Sequence, residues 1–338
     1  MTNNPKPLGV GVVGLGIGEQ HAKAFAASDD CELRWLFDIL REQAETIQGR
    51  IGAGEIAGSY DEILADDKVD IVAIATLDHM HFEGVQAALE AGKHVFVEKP
   101  LCRTEEELQT LEQAWTASGR PHLQSNLVLR QAPVYSWLKS VINEGRLGRI
   151  FAFDGDYFYG RLEKIINGWR GDVPDYSVME GGGIHMIDLM LWLTGERPAT
   201  ASTVGNDIAT RGTGFEYNDF MASTFLFPSG LIGRITANFA CVHPHHHVVR
   251  VFGTEATFIY DDQGPRLHTS RRETAKAEPV DAAPLPAGKG VLIPGFVQSI
   301  IAGGDPAPAA GREFELIRIC ATADKSLNSQ KVEEILYR

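Results

Sequence analysis

The chain has 338 residues, 44% of them hydrophobic, which is enough to bury a large core. Its 31 basic and 45 acidic residues leave a net charge of −14. That balance argues against a broad nucleic-acid or anionic-membrane face, though not against a local basic pocket. The cysteines Cys31, Cys102, Cys241 and Cys320 form no CxxC pair and are too scattered for a disulfide framework, so a reducing compartment is expected. The opening stretch MTNNPKPLGVGVVG shows no charged-then-apolar leader pattern, and no apolar run approaches the ~20 residues of a membrane helix. The expectation is a soluble cytoplasmic protein with no membrane and no nucleic-acid partner.

Residues 1–125 alternate between two textures. Short β-branched runs occur at LGVGVVG (8–14), ELRWLFD (32–38), VDIVAIAT (69–76), HVFVE (94–98) and PHLQS (121–125). Helical stretches lie between them: EQHAKAFAAS, LREQAETIQGRI, HFEGVQAALEAG and TEEELQTLEQAWTASG. This alternation predicts an α/β domain, a doubly wound parallel sheet with helices on both faces. VDIVAIAT and HVFV are apolar on both alternating faces, as strands buried from two sides are.

The first strand runs into Gly14, Gly16 and Gly18 and then a helix. Glycines there permit a tight turn and close approach of a pyrophosphate, whose charge meets the helix N-terminus. The spacing is GxGxG where GxGxxG is usual. Asp38 ends the next strand, 24 residues after Gly14. An acid at that point accepts hydrogen bonds from ribose hydroxyls and repels a 2′-phosphate, favouring NAD over NADP. Arg41 stands close enough to offset that repulsion or to stack on adenine. Thr76 closes the third long run. In the fourth, Val95-Phe96-Val97 runs into Glu98, Lys99 and Pro100, beyond the carboxyl end of a strand, where open α/β sheets bind ligands. An ammonium half-buried there loses hydration, which favours proton exchange nearer neutrality. Glu98 is placed to hold Lys99 or to meet the cofactor ribose.

From residue 126 to 338 the texture changes. A helix, APVYSWLKSVINEG, precedes the alternating run GRIFAFDGDYFYG, and a second helix, IHMIDLMLWLTG, precedes DFMASTFLFPSG, LIGRITANFAC, HHVVRVFGT and EATFIYDD. Turn signals fall at Pro228-Ser229-Gly230 and Gly253-Thr254. Consecutive strands with short turns predict an α+β domain with a large, mostly antiparallel open sheet, separated from the first by a cleft. The Pro/Ala-rich segment 273–290 reads as an exposed loop. In VHPHHHVVR, His243, His245 and His247 share a face if the strand is regular, ~7 Å apart. That is wide for a tetrahedral zinc bite, and no metal is expected. These imidazoles read instead as sheet-face residues at a substrate rim or a subunit contact.

The segments GLGIG…H, IATLDHMHFEGVQAALEAGKHVFVEKPL and GGGIHMIDLMLWLTG together resemble the glucose–fructose oxidoreductase / inositol dehydrogenase (Gfo/Idh/MocA) family. The resemblance implies a Rossmann domain followed by an α+β domain whose open sheet often joins subunits, hence a homo-oligomer, a dimer or tetramer. It implies that Lys99 contacts the hydroxyl being oxidised, that Pro100 follows a cis bond, and that His185 is the second catalytic residue. His81 matches a histidine near the cofactor, while Leu77 replaces a family proline. Asn126 and Arg130 match contacts to nicotinamide and substrate, and Trp169-Arg170 matches a pair near the cofactor. The family pattern D-x-G-x-H is broken, because Gly181 stands where the acid belongs and the nearest acid is Glu180. His185 and Asp188 are i, i+3 on a helix start, so Asp188 can orient His185 or bind a substrate hydroxyl.

The function expected is NAD-dependent oxidation of a secondary hydroxyl of a sugar. Tyr159, Arg161 and Lys164, together with the missing acid, point to a nucleotide-linked or otherwise anionic sugar, such as a UDP-N-acetylhexosamine oxidised at C3. A free sugar or inositol is the alternative within the class. An NAD-dependent glycosidase and a non-catalytic NAD-sensing protein are the alternatives outside it.

Overall fold

The computed structural model describes residues 6–337. In chain order the elements are β1 (Leu8–Val13), α1 (Gly18–Ala26), β2 (Cys31–Phe37), α2 (Arg41–Ile51), β3 (Glu55–Ile56), α3 (Tyr60–Ala65), β4 (Ile71–Ile74), α4 (His81–Glu90), β5 (His94–Val97), α5 (Glu105–Ala117) and β6 (Leu123–Ser125). There follow α6 (Pro133–Asn143), β7 (Ile150–Phe158), α7 (Glu163–Ile166), α8 (Ile184–Thr194), β8 (Thr200–Asn206), β9 (Phe220–Leu226), β10 (Ile232–Asn238), β11 (His246–Gly253), β12 (Thr257–Asp261), β13 (Gly264–His268) and β14 (Glu278–Pro279). The chain closes with α9 (Ile293–Ile301), α10 (Ala307–Ser329) and β15 (Glu333–Glu334).

Two compact units result. The first runs to Val128 and takes back Ala287–Ile317; the second is Leu129–Pro286 with the segment from Arg318. The first contains a six-stranded, all-parallel sheet in the order β3-β2-β1-β4-β5-β6, the doubly wound Rossmann arrangement. Its inner strands are apolar on both faces because helices cover both. Thr104 and Glu107 close a reciprocal capping box at the start of α5. The segment 287–317, grouped with the second domain on sequence, differs from expectation. Leu292, Ile293, Phe296 and Val297 of this segment pack into the core of the first unit with Val10, Phe25 and Phe96. Burial drives this, at roughly 1.5–3 kcal/mol for each large side chain removed from water.

The second unit is built on a nine-stranded sheet, β14-β13-β12-β11-β7-β10-β9-β8-β15. Only β7 and β10 run parallel; the other pairs are antiparallel. Strands β9 and β10 alternate between buried and outward residues along their length. Ala201, Met221, Phe225, Ile235 and Ala237 are buried, while Val204, Leu226, Ile232 and Arg234 point outward. The loop 273–290 holds one two-residue strand, β14. Among the described residues no helix is long and apolar enough to cross a membrane.

Candidate active site

In the first unit the glycine turn is shaped by close approach. Gly14 has φ +80°, and a Cβ there would lie 2.7 Å from the Ala75 carbonyl and the Thr76 nitrogen, so only glycine fits. At Gly16 nothing lies within 4 Å of a would-be Cβ, which leaves that side of the turn open. Helix α1 then begins at Gly18 without a side-chain cap, so its first N–H groups face outward with no side-chain acceptor. Asp38 accepts hydrogen bonds from Leu15 N at 2.8 Å and Leu40 N at 2.9 Å, tying the turn to the end of β2. The exposed side chains of Ile39 and Leu40 follow directly, an apolar pair suited to an adenine face. Arg41 turns along its own helix to Glu45, at 3.1 Å, rather than toward Asp38.

A buried polar network stands at the carboxyl ends of β4, β5 and β6. Glu98 Oε1 accepts from Asn126 Nδ2 at 2.7 Å and lies 3.1 Å from His21 Nε2. Asn126 Nδ2 also meets Lys289 O at 2.9 Å. Burial alone would raise the Glu98 pKa. His21 and Asn126 outweigh it and hold the carboxyl at about 2, against an ordinary 4.5. Lys99, the chain neighbour of Glu98, is half-buried and joined to Pro100 by a cis peptide bond. His81 is fully buried, with Nδ1 2.6 Å from Pro100 O and Nε2 3.2 Å from Thr76 O. It therefore braces the strand ends that flank Lys99.

Among the described residues, four buried polar atoms of this unit have no hydrogen-bond partner: His21 Nδ1, Thr76 Oγ1, Ser125 Oγ and Asn126 Oδ1. Buried polar groups are normally satisfied, so this set marks where a polar ligand belongs. An open glycine turn, an uncapped helix start, an acid at the end of β2 and orphaned atoms at the strand ends fit a dinucleotide.

In the second unit a π turn, Met179–Gly183, leads into α8 and sets His185 on its first turn. Gly181 and Gly182 are dictated by neighbouring aromatics. A Cβ at Gly181 would lie 2.1 Å from Tyr176 Oη, and one at Gly182 would lie 2.4 Å from the Tyr157 ring. Tyr176 Oη accepts a hydrogen bond from Arg170 Nε at 2.9 Å. The direction in which an acid at 181 would project is thus filled by a phenol held by a guanidinium. Glu180 precedes Gly181 in the π turn. This buried residue bears on Cys320, whose thiol is pushed far up by burial first and then by the charges of Glu180, Asp324 and Asp188.

Tyr157 lies nearly parallel to His185, with ring centroids 5.9 Å apart and 17° between planes. His245 and His247 approach the same phenol at 5.2 and 5.3 Å. Tyr159 stacks on Phe239 at 4.8 Å, with Arg161 and Arg170 over its ring at 5.3 and 5.2 Å. Arg170 also covers Trp169, and Lys164 is exposed on α7. The shared face expected for His243, His245 and His247 does not form. Strand β11 starts only at His246, after Pro244 has broken the alternation, and His243 turns instead to Asp262 at 3.1 Å. Among the described residues no group of three His, Cys, Asp or Glu could hold a metal ion.

Arg130 and Asp188 are brought together, but with each other. Arg130 Nε lies 2.9 and 3.0 Å from the two Asp188 oxygens, and its NH2 also bonds the carboxylate. Asp188 is 1% exposed, so it anchors α8 to the turn at Val128–Gln131 rather than standing open for His185. Sequence reasoning did not single out His21, Tyr157 or Tyr176 as site residues. For His21 the signal was the histidine three residues beyond the glycine turn.

Comparison with known proteins supplies the decision. Residues 8–125 match the GFO/IDH/MocA oxidoreductase family with an NAD-binding Rossmann fold, and residues 135–259 match the GFO/IDH/MocA C-terminal domain. The chain belongs to the GFO/IDH/MocA family. Its first unit is the NAD-binding Rossmann domain of this oxidoreductase family. Among relatives of this family member, inositol 2-dehydrogenase 2 of Saccharopolyspora erythraea is 28% identical over 221 residues, 65% of this chain. That match spans 62% of the relative, less than two thirds of its length. Levoglucosan dehydrogenase of Pseudarthrobacter phenanthrenivorans is 25% identical over 374 residues, covering 92% of this chain and 94% of the relative. A solved levoglucosan dehydrogenase complex with NADH and levoglucosan superposes with a TM-score of 0.84 at 22% identity, covering 98% of this chain and 100% of that one, and shows the shared fold.

Proposed function

We propose that this GFO/IDH/MocA protein oxidises a secondary hydroxyl of a ring sugar or cyclitol. The observation that carries the reading is Lys99: a half-buried amine at the carboxyl end of β5, beside four orphaned polar atoms that fit a dinucleotide. NAD, when bound, accepts the hydride released from the carbinol carbon. Lys99 and His185 divide the remaining work, one taking the hydroxyl proton as general base and the other stabilising the developing alkoxide. Glu98, fixed by His21 and Asn126, serves the ribose side, while His81 and Thr76 shape the backbone around it. The aromatic surface of Tyr157, Tyr159 and Phe239 suits the apolar face of a sugar ring. The names of the inositol and levoglucosan dehydrogenase relatives support this class.

A nucleotide-linked or otherwise anionic sugar is the second reading, favoured by Arg161. Its guanidinium stacks on Tyr159 and makes no ion pair with any described residue. The protein works as a dimer or tetramer joined through the outward face of its large sheet, where Val204, Leu226 and Ile232 are exposed. Its scattered cysteines, with no CxxC pair, accord with a cytoplasmic setting.

A panel tests the reading: NADH formation with myo-inositol, levoglucosan, free hexoses and UDP-N-acetylhexosamines, with NAD or NADP. Turnover with a neutral sugar and NAD is expected. Turnover of UDP-sugars alone selects the second reading, and no NADH with any of them counts against both.

A further inference from the structure

Oxidising an alcohol breaks two bonds. The C–H pair leaves as hydride, and the O–H bond releases one proton that has to reach water. His185 is only 6% exposed, so a proton accepted there needs a path. The surroundings of His185 are unusual for a buried sheet face. Along β11 the inward positions Val249 and Val251 are apolar and fully buried, but the next inward position, toward the strand's start, is His247, 5% exposed. An apolar residue would fill that space at no desolvation cost, whereas a buried imidazole requires compensation. His247 lies 6.5 Å from His185 and 4.9 Å from His245, ring centre to ring centre. His247 is as buried as His185, whereas His245, at the strand's entry, is half-buried and so lies nearest solvent of the three. Its Nδ1 faces Phe158 O at 2.9 Å, which favours the Nδ1–H tautomer and makes Nε2 the basic nitrogen. The Tyr157 ring packs against all three imidazoles and fixes their spacing.

We propose that His185, His247 and His245 form a proton relay from the reacting hydroxyl to solvent. The first transfer breaks the O–H bond and forms an N–H bond on His185, each transfer between imidazoles breaks one N–H bond and makes another, and the last gives the proton from His245 to water; no oxidation state changes, and ring rotation or a bridging water spans each gap. His247 and His245 are thereby relay residues that touch neither the sugar nor the nicotinamide. This inference rests on the reading of His185 as a proton acceptor in the proposed reaction.

The test compares His247→Gln, His245→Gln and His185→Gln using the sugar most active in the panel, with and without added imidazole, alongside histidine NMR titration without substrate. Both relay variants are expected to lose about tenfold or more in kcat with KM nearly unchanged, and imidazole is expected to restore the rate. In the NMR arm, His247→Gln is expected to displace the His185 titration, because neighbouring imidazoles titrate as a coupled set. A raised KM without rescue would make these histidines sugar contacts and overturn the relay. Wild-type kcat in both relay variants with an inactive His185→Gln overturns the relay alone. An active His185→Gln overturns the underlying reading as well. An unmoved His185 titration in folded His247→Gln also counts against the relay, even if no sugar in the panel is turned over.

Discussion

In the nucleotide-binding unit, His21 and His81 apart, the site residues sit just beyond the ends of parallel strands: Gly14 after β1, Asp38 after β2, Thr76 after β4, Glu98 and Lys99 after β5, Asn126 after β6. In the sheet unit the equivalent groups come from unlike places. His185 follows a π turn, Tyr157 lies within β7, Tyr176 precedes the turn, and His247 sits near the start of β11. The first pattern is a consequence of backbone topology, since parallel strands deliver their carboxyl ends to one edge. The second depends on which side chains meet across a sheet, so one residue of register or one ring changes it.

Four experiments bear on that contrast. The largest effect is expected at Lys99, where Lys99→Ala should lower kcat about 10²- to 10⁴-fold with NAD affinity nearly unchanged, measured by NADH formation and a cofactor titration. Retained turnover would remove the strand-end site from the chemistry.

Next comes the network behind it. Leaving Glu98 buried without His21 should make His21→Leu less stable by about 3 kcal/mol in urea unfolding. The same carboxyl gives a pH signature. Its folded pKa of about 2 lies below the ordinary 4.5, so the native state binds fewer protons. The stabilisation is complete above about 4.5 and is lost as pH falls toward about 2, and Glu98→Gln should flatten that acid limb. An unchanged acid limb in Glu98→Gln would show that the network does not hold the charge.

A third test turns to the sheet unit. Gly181→Asp puts an acid at the position that the D-x-G-x-H pattern assigns to one, yet it should destabilise by about 1–3 kcal/mol and lower activity, because its Cβ meets Tyr176 Oη. Thermal unfolding reads this, and adding Tyr176→Ala should recover part of the loss. Were Gly181→Asp stable and more active, the phenol would not be filling the acid's place.

The smallest effect is expected at Asp38. Asp38→Ser weakens the tie between the glycine turn and β2, and NAD affinity should fall about tenfold, or ~1.4 kcal/mol, by calorimetry. A gain for NADP over NAD in the same variant would sharpen the acid's part in selecting the cofactor.

The same contrast decides how much could be read from the chain. Gly14, Asp38, Glu98 and Lys99 were legible because a strand that ends in a turn carries its function in adjacent letters. His21 was half-legible, since its spacing from the turn is visible but its partner, Glu98, is 77 positions away. In the sheet unit the sequence displays a missing acid at Gly181 without displaying the Tyr176 hydroxyl that excludes it. Arg130 and Asp188 each looked ready for a ligand, and only the fold reveals that they close on one another. His243 was assigned to the wrong face because alternation was carried through Pro244, where the strand had not yet begun.

The return of residues 287–317 to the first unit bears on any attempt to recombine this protein with its relatives. Phe296 meets Phe96 at 5.5 Å, and the carbonyl of Lys289 holds Asn126. A chimera spliced once, after residue 125, would strip the donor dinucleotide module of both and replace them with a foreign helix. Exchange of cofactor modules within the family therefore calls for a discontinuous graft, with junctions near 128, 287 and 317.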